Sequence, residues 1–396
     1  MGRIRREIVL CTKGWKKRSS FFTWGATIQI GSGDTIHPSL YNLFFKARDG
    51  RYLLFNALSR SRFFVDHELR DVIESGNLEG VDSALMDQLG SYGIFTDKNE
   101  LEYFMNLYRK RIEAPFEYEL TLIPSYECNL NCYYCTRSEE VFSSQWISRV
   151  KKFFASQLEG DFENAAVRIG GGEPLVHPDL LVTTLETLCT ISEEYGKKFF
   201  SAIATNGTLT TPDILDRLAP FLNAVQVTFE GAQKYHDTVR NDGTGTFDRV
   251  LESVEKFRDS GVVVNMRVHV SEENCGGLEE LFDTLKSVGI GMQARTMITA
   301  APVMKTRICP LYPARCTEPE ALPVVWKAWE SAKKCGLLIS GLPNFPYEML
   351  PCPYMTPTSL IIDPRGVFYK CLRGLNEEEG AIGDTEHGIT EVLDSP

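Results

Sequence analysis

Tyr118-Glu-Leu-Thr-Leu-Ile-Pro-Ser-Tyr-Glu-Cys-Asn-Leu-Asn-Cys-Tyr-Tyr-Cys135 opens on a β-rich run, Tyr118–Ile123, and ends in three cysteines spaced CxxxCxxC. Beyond it a pattern recurs in which a short β-rich run closes in polar or glycine residues and gives way to an amphipathic helical segment. Strands are expected at Tyr118–Ile123, Ala166–Ile169, Phe199–Ala204, Ala224–Phe229, Val262–Val270 and Gly291–Ile298, with helices near 144–158, 178–194, 212–221, 246–260 and 277–287. Strands alternating with helices require parallel pairing through right-handed crossovers, and partial closure places the functional loops at the C-terminal strand ends. The fold class implied is α/β: a partial (β/α)6 TIM-like barrel at 113–305, after a small N-terminal α+β domain at 1–112 and before a Cys-rich C-terminal extension at 306–396.

Outside the barrel the grammar changes. The N-terminal region offers a strand at Leu53–Leu58 and short helices at Asp66–Ser75, Asp82–Gly90 and Asn99–Arg111. After about residue 300 the βα rhythm stops; one helix is expected at Pro323–Cys335, and the remainder is rich in Pro, Gly and Cys, as in loop-dominated segments held by metal.

Composition bounds the function. The 396 residues are 43% hydrophobic and 24% charged, an ordinary globular balance. Net charge is 42 minus 53, or −11, with basic residues interspersed among acids, which argues against a nucleic-acid partner. The local exception is Arg3, Arg5, Arg6, Lys13, Lys16, Lys17 and Arg18, read as a solvated terminus. No run approaches the roughly 18 apolar residues of a spanning helix, and the N-terminus lacks the apolar core of a secretion signal, so no membrane partner and a cytoplasmic chain are expected. In that compartment the 11 cysteines are more readily metal or cluster ligands than disulfides.

Cys128, Cys132 and Cys135 on one strand-end loop can hold three irons of a cubane and leave the fourth iron without a protein ligand. A closed zinc site would require a fourth ligand, and none is adjacent in sequence. With Tyr134 just before the last cysteine, the motif resembles the signature of radical S-adenosylmethionine (radical SAM) enzymes. That resemblance implies a [4Fe-4S] cluster whose open corner chelates S-adenosylmethionine and cleaves it to a 5'-deoxyadenosyl radical. It carries over to Gly170-Gly171-Gly172-Glu173-Pro174, similar to the family's GGEP motif, where glycines admit the methionine moiety and Glu173 can accept from its ammonium group. It also extends to Thr205 and Asn206 in Thr-Asn-Gly, and to Thr228 in Thr228-Phe-Glu230-Gly, followed by His236, Asp237 and Arg240. Thr228 and Glu230 stand where Ser and Asp are usual, keeping the hydroxyl and the charge. His236 reads as structural, and Cys11, Cys189 and Cys275 as core residues.

Near the C-terminus, Cys352, Gly366 and Cys371 resemble the opening of a SPASM extension, which carries auxiliary iron-sulfur clusters. Leu360–Lys370 between them has the form of a hairpin. Cys309, Cys316 and Cys335 are further candidate ligands, and zinc at Cys352 and Cys371 is the competing reading. The usual second group of cysteines is missing. The resemblance implies an enzyme that modifies a precursor peptide or protein, by thioether or carbon crosslinking, with flavodoxin or ferredoxin as electron donor and the N-terminal domain gripping a leader peptide by strand addition. Formylglycine formation in the manner of anaerobic sulfatase maturases, and a noncatalytic iron-sulfur or zinc redox sensor, are the alternatives.

Overall fold

The computed structural model describes residues 36–113, 116–135, 145–290, 295–302, 318–337, 339–340, 354, 356–375 and 380–390. They fall into two compact units that divide after Lys110.

The first unit contains β1 (His37–Pro38), β2 (Asn42–Lys46), β3 (Tyr52–Asn56), β4 (Arg62–Val65), α1 (His67–Ser75), α2 (Ser83–Ser91), β5 (Phe95–Thr96) and the start of α3 (Glu100–Glu113). Strands β2, β3 and β4 form an antiparallel sheet in that order, and β1 pairs with β5. The three expected helices are present, two with aspartate N-caps: Asp66 accepts from the Leu69 N–H and Asp82 from that of Ala84. Strands β2 and β4 were not expected. Each carries adjacent phenylalanines, Phe44-Phe45 and Phe63-Phe64, which breaks the two-residue alternation by which a half-buried strand is recognised.

The second unit is built on β6 (Glu117–Leu122), α4 (Trp146–Gln157), β7 (Asn164–Ile169), α5 (Pro178–Glu194), β8 (Lys198–Thr205), α6 (Pro212–Leu218), β9 (Ala224–Phe229), α7 (Gln233–Val239), α8 (Phe247–Asp259), β10 (Val263–Val270), α9 (Leu278–Ser287) and β11 (Thr296–Pro302). Strands β6 to β11 pair parallel in sequence order, each with its successor. Their pairing continues at both edges rather than closing, which makes the barrel partial.

Both edges depart from expectation. The βα rhythm does not stop near residue 300: α10 (Glu318–Lys334) leads to β12 (Ile339–Ser340), parallel to β11. At the other edge β13 (Ser359–Ile362) pairs parallel with β6, and the expected hairpin follows as β14 (Val367–Tyr369), continued by β15 (Ala381–Asp384) and β16 (Gly388–Ile389). The C-terminal strands therefore extend the barrel sheet. The first strand of the hairpin is too short and apolar to announce a sheet edge on its own.

Alternation along the strands sorts the side chains into two faces. Leu120, Leu122, Val167, Ile169, Val225, Val227, Val264, Met266 and Val268 face the helices and pack with Trp146, Phe154, Leu185, Phe257 and Phe282 in one buried core. Burying each such side chain stabilises the fold by about 1.5–3 kcal/mol. The opposite face is polar: Glu119, Thr121, Arg168, Thr228, Asn265, Arg267, His269 and Thr299 occupy the intervening positions.

Asp363 locks the hairpin to this core. Fully buried, its carboxylate accepts from the backbone N–H of Arg365 and Val367 and from the Arg365 guanidinium, while its backbone carbonyl accepts from the Trp146 indole at 2.9 Å. Replacing Asp363 by Ala removes the acceptor of two part-buried N–H groups, so denaturant titration should show a loss of about 2 kcal/mol.

Candidate functional site

The loop after β6 is held by backbone pairing carried past the end of the β6–β7 ladder. Gly170 N–H donates to Leu122 O at 3.0 Å, Gly172 N–H to Ser125 O at 3.0 Å and Glu173 N–H to Glu127 O at 2.7 Å. The glycines are required because these two backbones touch. A Cβ on Gly171, at φ 115°, would stand 2.5 Å from Ser125 O, and one on Gly172 would stand 2.0 Å from Glu127 O. The sequence reading gave these glycines the task of admitting a ligand; the structure shows that they first admit the cysteine loop.

Glu173 is buried and tied into the rim of the barrel. One carboxylate oxygen accepts from Leu175 N–H (2.9 Å) and Thr205 Oγ1 (2.7 Å), the other from Asn206 N–H (2.6 Å). It joins the ends of β7 and β8, and Pro174 starts the short 3-10 turn beneath it.

These contacts surround a cavity of about 210 Å³ lined by Cys128, Cys132, Cys135, Tyr126, Leu130, Tyr134, Gly171, Gly172, Ala204, Thr205, Asn206, Thr228, Arg240 and His269. Of the residues singled out in sequence, the three cysteines, Tyr134, Gly171, Gly172, Thr205, Asn206, Thr228 and Arg240 form the wall, whereas Gly170, Glu173, Pro174, Glu230, His236, Asp237 and Cys371 do not. Asn206 reaches the cysteine loop: its Nδ2 donates to Asn129 Oδ1 at 2.9 Å and to Cys128 Sγ at 3.8 Å, and Leu130 N–H donates to the same sulfur at 3.5 Å. Burial pushes the Cys128 and Cys132 thiols up, while such N–H donors favour the thiolate once it forms. Among the described residues no three Cys, His, Asp or Glu side chains are grouped to hold one metal ion. All three cysteines line the cavity.

Behind the wall lies a second carboxylate, Glu230, fully buried at the end of β9. Its Oε1 accepts from Tyr134 Oη (2.6 Å), His269 Nδ1 (2.8 Å) and Arg240 Nε (3.1 Å), and its Oε2 is buried with no partner among the described residues. Burial opposes the charge, but His269 and Arg240 hold the carboxyl down at about 2. The tautomer of His269 follows from its neighbours. Arg267 Nε donates to His269 Nε2 at 3.2 Å, so the proton sits on Nδ1, and burial pushes the imidazolium pKa down.

His236 is buried between the rings of Phe229 and Phe247, accepts from the Glu230 N–H at Nδ1, and is driven to about 3 by burial. Asp237 accepts from Thr246 and Phe247 N–H and so caps α8. Helix α7, which carries both, was not expected; seven residues without an apolar period give little signal. His269 was also missed, although polar residues at every second position of Val264-Asn-Met-Arg-Val-His269 in a parallel strand marked a polar concave face.

The remaining cysteines separate. Cys371 is exposed after β14, Cys335 is buried in the barrel core, Cys275 is half-buried against that core, and Cys189 is half-buried. Cys11, Cys309, Cys316 and Cys352 lie outside the described residues. No helix among the described residues is long and apolar enough to cross a membrane.

Residues 122–285 match the model of the Radical SAM superfamily. The chain is 28% identical over 166 residues to an AdoMet-dependent heme synthase of Methanosarcina barkeri, covering 41% of this chain and 45% of that protein. It is 33% identical over 187 residues to the mycofactocin maturase MftC of Mycobacterium tuberculosis, covering 46% and 44%. The chain thus spans under half the length of these curated relatives. Among solved structures, Streptococcus suis SuiB bound to the precursor peptide SuiA has a TM-score of 0.53 at 18% identity, over 89% of this chain and 87% of that one, a likeness of fold.

The loop contact separates two neighbouring glycines. Gly172→Ala, whose methyl would meet backbone, should lower the melting temperature clearly, whereas Gly170→Ala, whose methyl comes no nearer than 3.9 Å to Ala204 Cβ, should melt near the parent. In cluster-free protein at pH 7, iodoacetamide should label exposed Cys371 faster than Cys128 and Cys132, read by peptide mass spectrometry, because burial keeps the latter two thiols protonated.

Proposed function

We propose that this chain, which carries a radical SAM domain over residues 122–285, holds a [4Fe-4S] cluster through Cys128, Cys132 and Cys135 and uses it to act on a peptide or protein. The observation that carries this reading is the convergence of those cysteines with Gly171, Gly172, Thr205, Asn206 and Thr228 on one cavity. The donor set suits the cofactors: three thiols on one loop would leave one iron open, and polar groups at the ends of β8 and β9 offer S-adenosylmethionine hydrogen bonds. Held there by Cys128, Cys132 and Cys135, a reduced cluster would supply one electron to S-adenosylmethionine, whose C5'–S bond would break to methionine and a 5'-deoxyadenosyl radical able to abstract hydrogen.

The chain's own residues position and enclose. Asn206 and the Leu130 N–H direct hydrogen bonds to Cys128 Sγ. Tyr134 is fixed by Glu230 beside the last cysteine, and Arg240 offers a guanidinium to an anionic group in the cavity.

The peptide substrate is supported by the first unit. Among the described residues its sheet has β2 and β4 at its edges, and a sheet edge is the template for adding an extended chain. The maturase name of the relative at 33% identity points the same way. Flavodoxin or ferredoxin would supply the electron. Cys371, together with Cys352, is retained as a candidate auxiliary-cluster ligand.

Anaerobic reconstitution should give about four iron and four sulfide per chain at this site, and dithionite with S-adenosylmethionine should then yield 5'-deoxyadenosine by liquid chromatography. Cys132→Ala should lose both. Cluster without nucleoside would favour a noncatalytic redox module, and nucleoside from the variant would overturn the ligand assignment.

A further inference from the structure

The concave face of the barrel carries a guanidinium, Arg267, to which no carboxylate among the described residues is bonded. Along β10, Val264, Met266, Val268 and Val270 are buried beneath the helices, so Asn265, Arg267 and His269 turn to the other side. Arg267 lies level with Thr228 of β9 and Thr299 of β11. His269, two residues further along the same face, lines the cofactor cavity.

Two guanidinia act on this region, and among the described residues Glu230 is the carboxylate bonded to one of them, Arg240. Glu230 already accepts from Tyr134, Arg240 and His269, and His269 stays neutral. Arg267 uses its Nε on His269, and no carboxylate among the described residues stands within ion-pair distance of it; Glu230 acts on it only through space. The contrast is with Arg168, the other guanidinium of this face, which Glu119 meets at 2.6 Å. A half-buried guanidinium is costly without a partner. The fixed Nε leaves the outer edge of the fork free for two parallel bonds to one carboxylate.

We infer that Arg267 anchors a carboxylate of the substrate, so that the segment entering the barrel carries an acidic side chain or a chain-terminal carboxylate beside the hydrogen that is removed. The inference deepens the proposed function and rests on it for its chemistry. Arg240, on the cavity wall with the cysteines, remains the guanidinium for the cofactor.

The test uses the full reconstituted chain loaded with S-adenosylmethionine, titrated with three probes and followed by thermal shift. N-acetyl-aspartate methylamide presents a side-chain carboxylate, N-acetylglycine a terminal one, and N-acetyl-asparagine methylamide neither. One acid should give a saturable shift and the asparagine analogue none, and which acid does so identifies the source. Arg267→Gln should weaken that acid by about tenfold or more, Arg267→Lys should retain part of the binding, and both should bind S-adenosylmethionine as the parent does. Binding of neither acid, equal binding of the asparagine analogue, or parental affinity in Arg267→Gln would overturn the inference. A loss of S-adenosylmethionine affinity in Arg267→Gln would reassign the guanidinium to the cofactor. Formation of 5'-deoxyadenosine is assayed on the same samples, so failure of the proposed function shows as no nucleoside whatever the probes do.

Discussion

The carboxylate of Glu173 holds the rim together. It receives the Leu175 and Asn206 amides and the Thr205 hydroxyl, while its own amide donates to Glu127 in the cysteine loop. One buried side chain therefore sets the distance between the loops that follow β6, β7 and β8. Such a carboxylate is stable out of water because each oxygen is met by donors that are themselves fixed by backbone geometry. Glycine at 171 and 172 is the complementary demand, since the two loops lie too close for any Cβ. The cavity wall is a consequence of this clamp.

A second constraint is electrostatic. The helix-facing side of each strand is apolar, yet the concave side gathers carboxylates, guanidinia and an imidazole. Charges in a low-dielectric interior must be matched, and Glu230 does so for Arg240 while fixing the orientation of Tyr134 and His269. Among the described residues the match is incomplete at Arg267 and at Glu230 Oε2, which is buried without a hydrogen-bond partner. The fold thus spends stability on a polar lumen that a purely structural barrel would fill with Val, Ile and Leu.

What the sequence disclosed depended on period. Strands β6 to β10 and helices α5, α8 and α9 lie within about two residues of their expected bounds, because parallel buried strands and long amphipathic helices carry strong signals. The two-residue β12 and the seven-residue α7 were too short to register, and the doubled phenylalanines of β2 and β4 hid their alternation. At the site, the cysteines, the glycine turn, Thr205, Asn206 and Thr228 were legible as motifs, and strand-end placement follows from βα topology. The task of Glu173 was not, because a hydrogen-bonded clamp across loops depends on three-dimensional register. Nor was the link from Glu230 through His269 to Arg267, which joins β9 to β10 across 37 residues of chain.

The central claim is that three thiolates hold a cubane whose fourth iron is open to S-adenosylmethionine. It is tested most directly by electron paramagnetic resonance of the reduced, reconstituted protein with S-adenosylmethionine labelled with 15N at its amino group. The account predicts a paramagnetic cluster signal that changes on adding the cofactor and shows hyperfine coupling to the label, from an amino group bound directly to iron. A signal unchanged by S-adenosylmethionine and without coupling, or a protein that takes up zinc and gives no cluster signal, would contradict it.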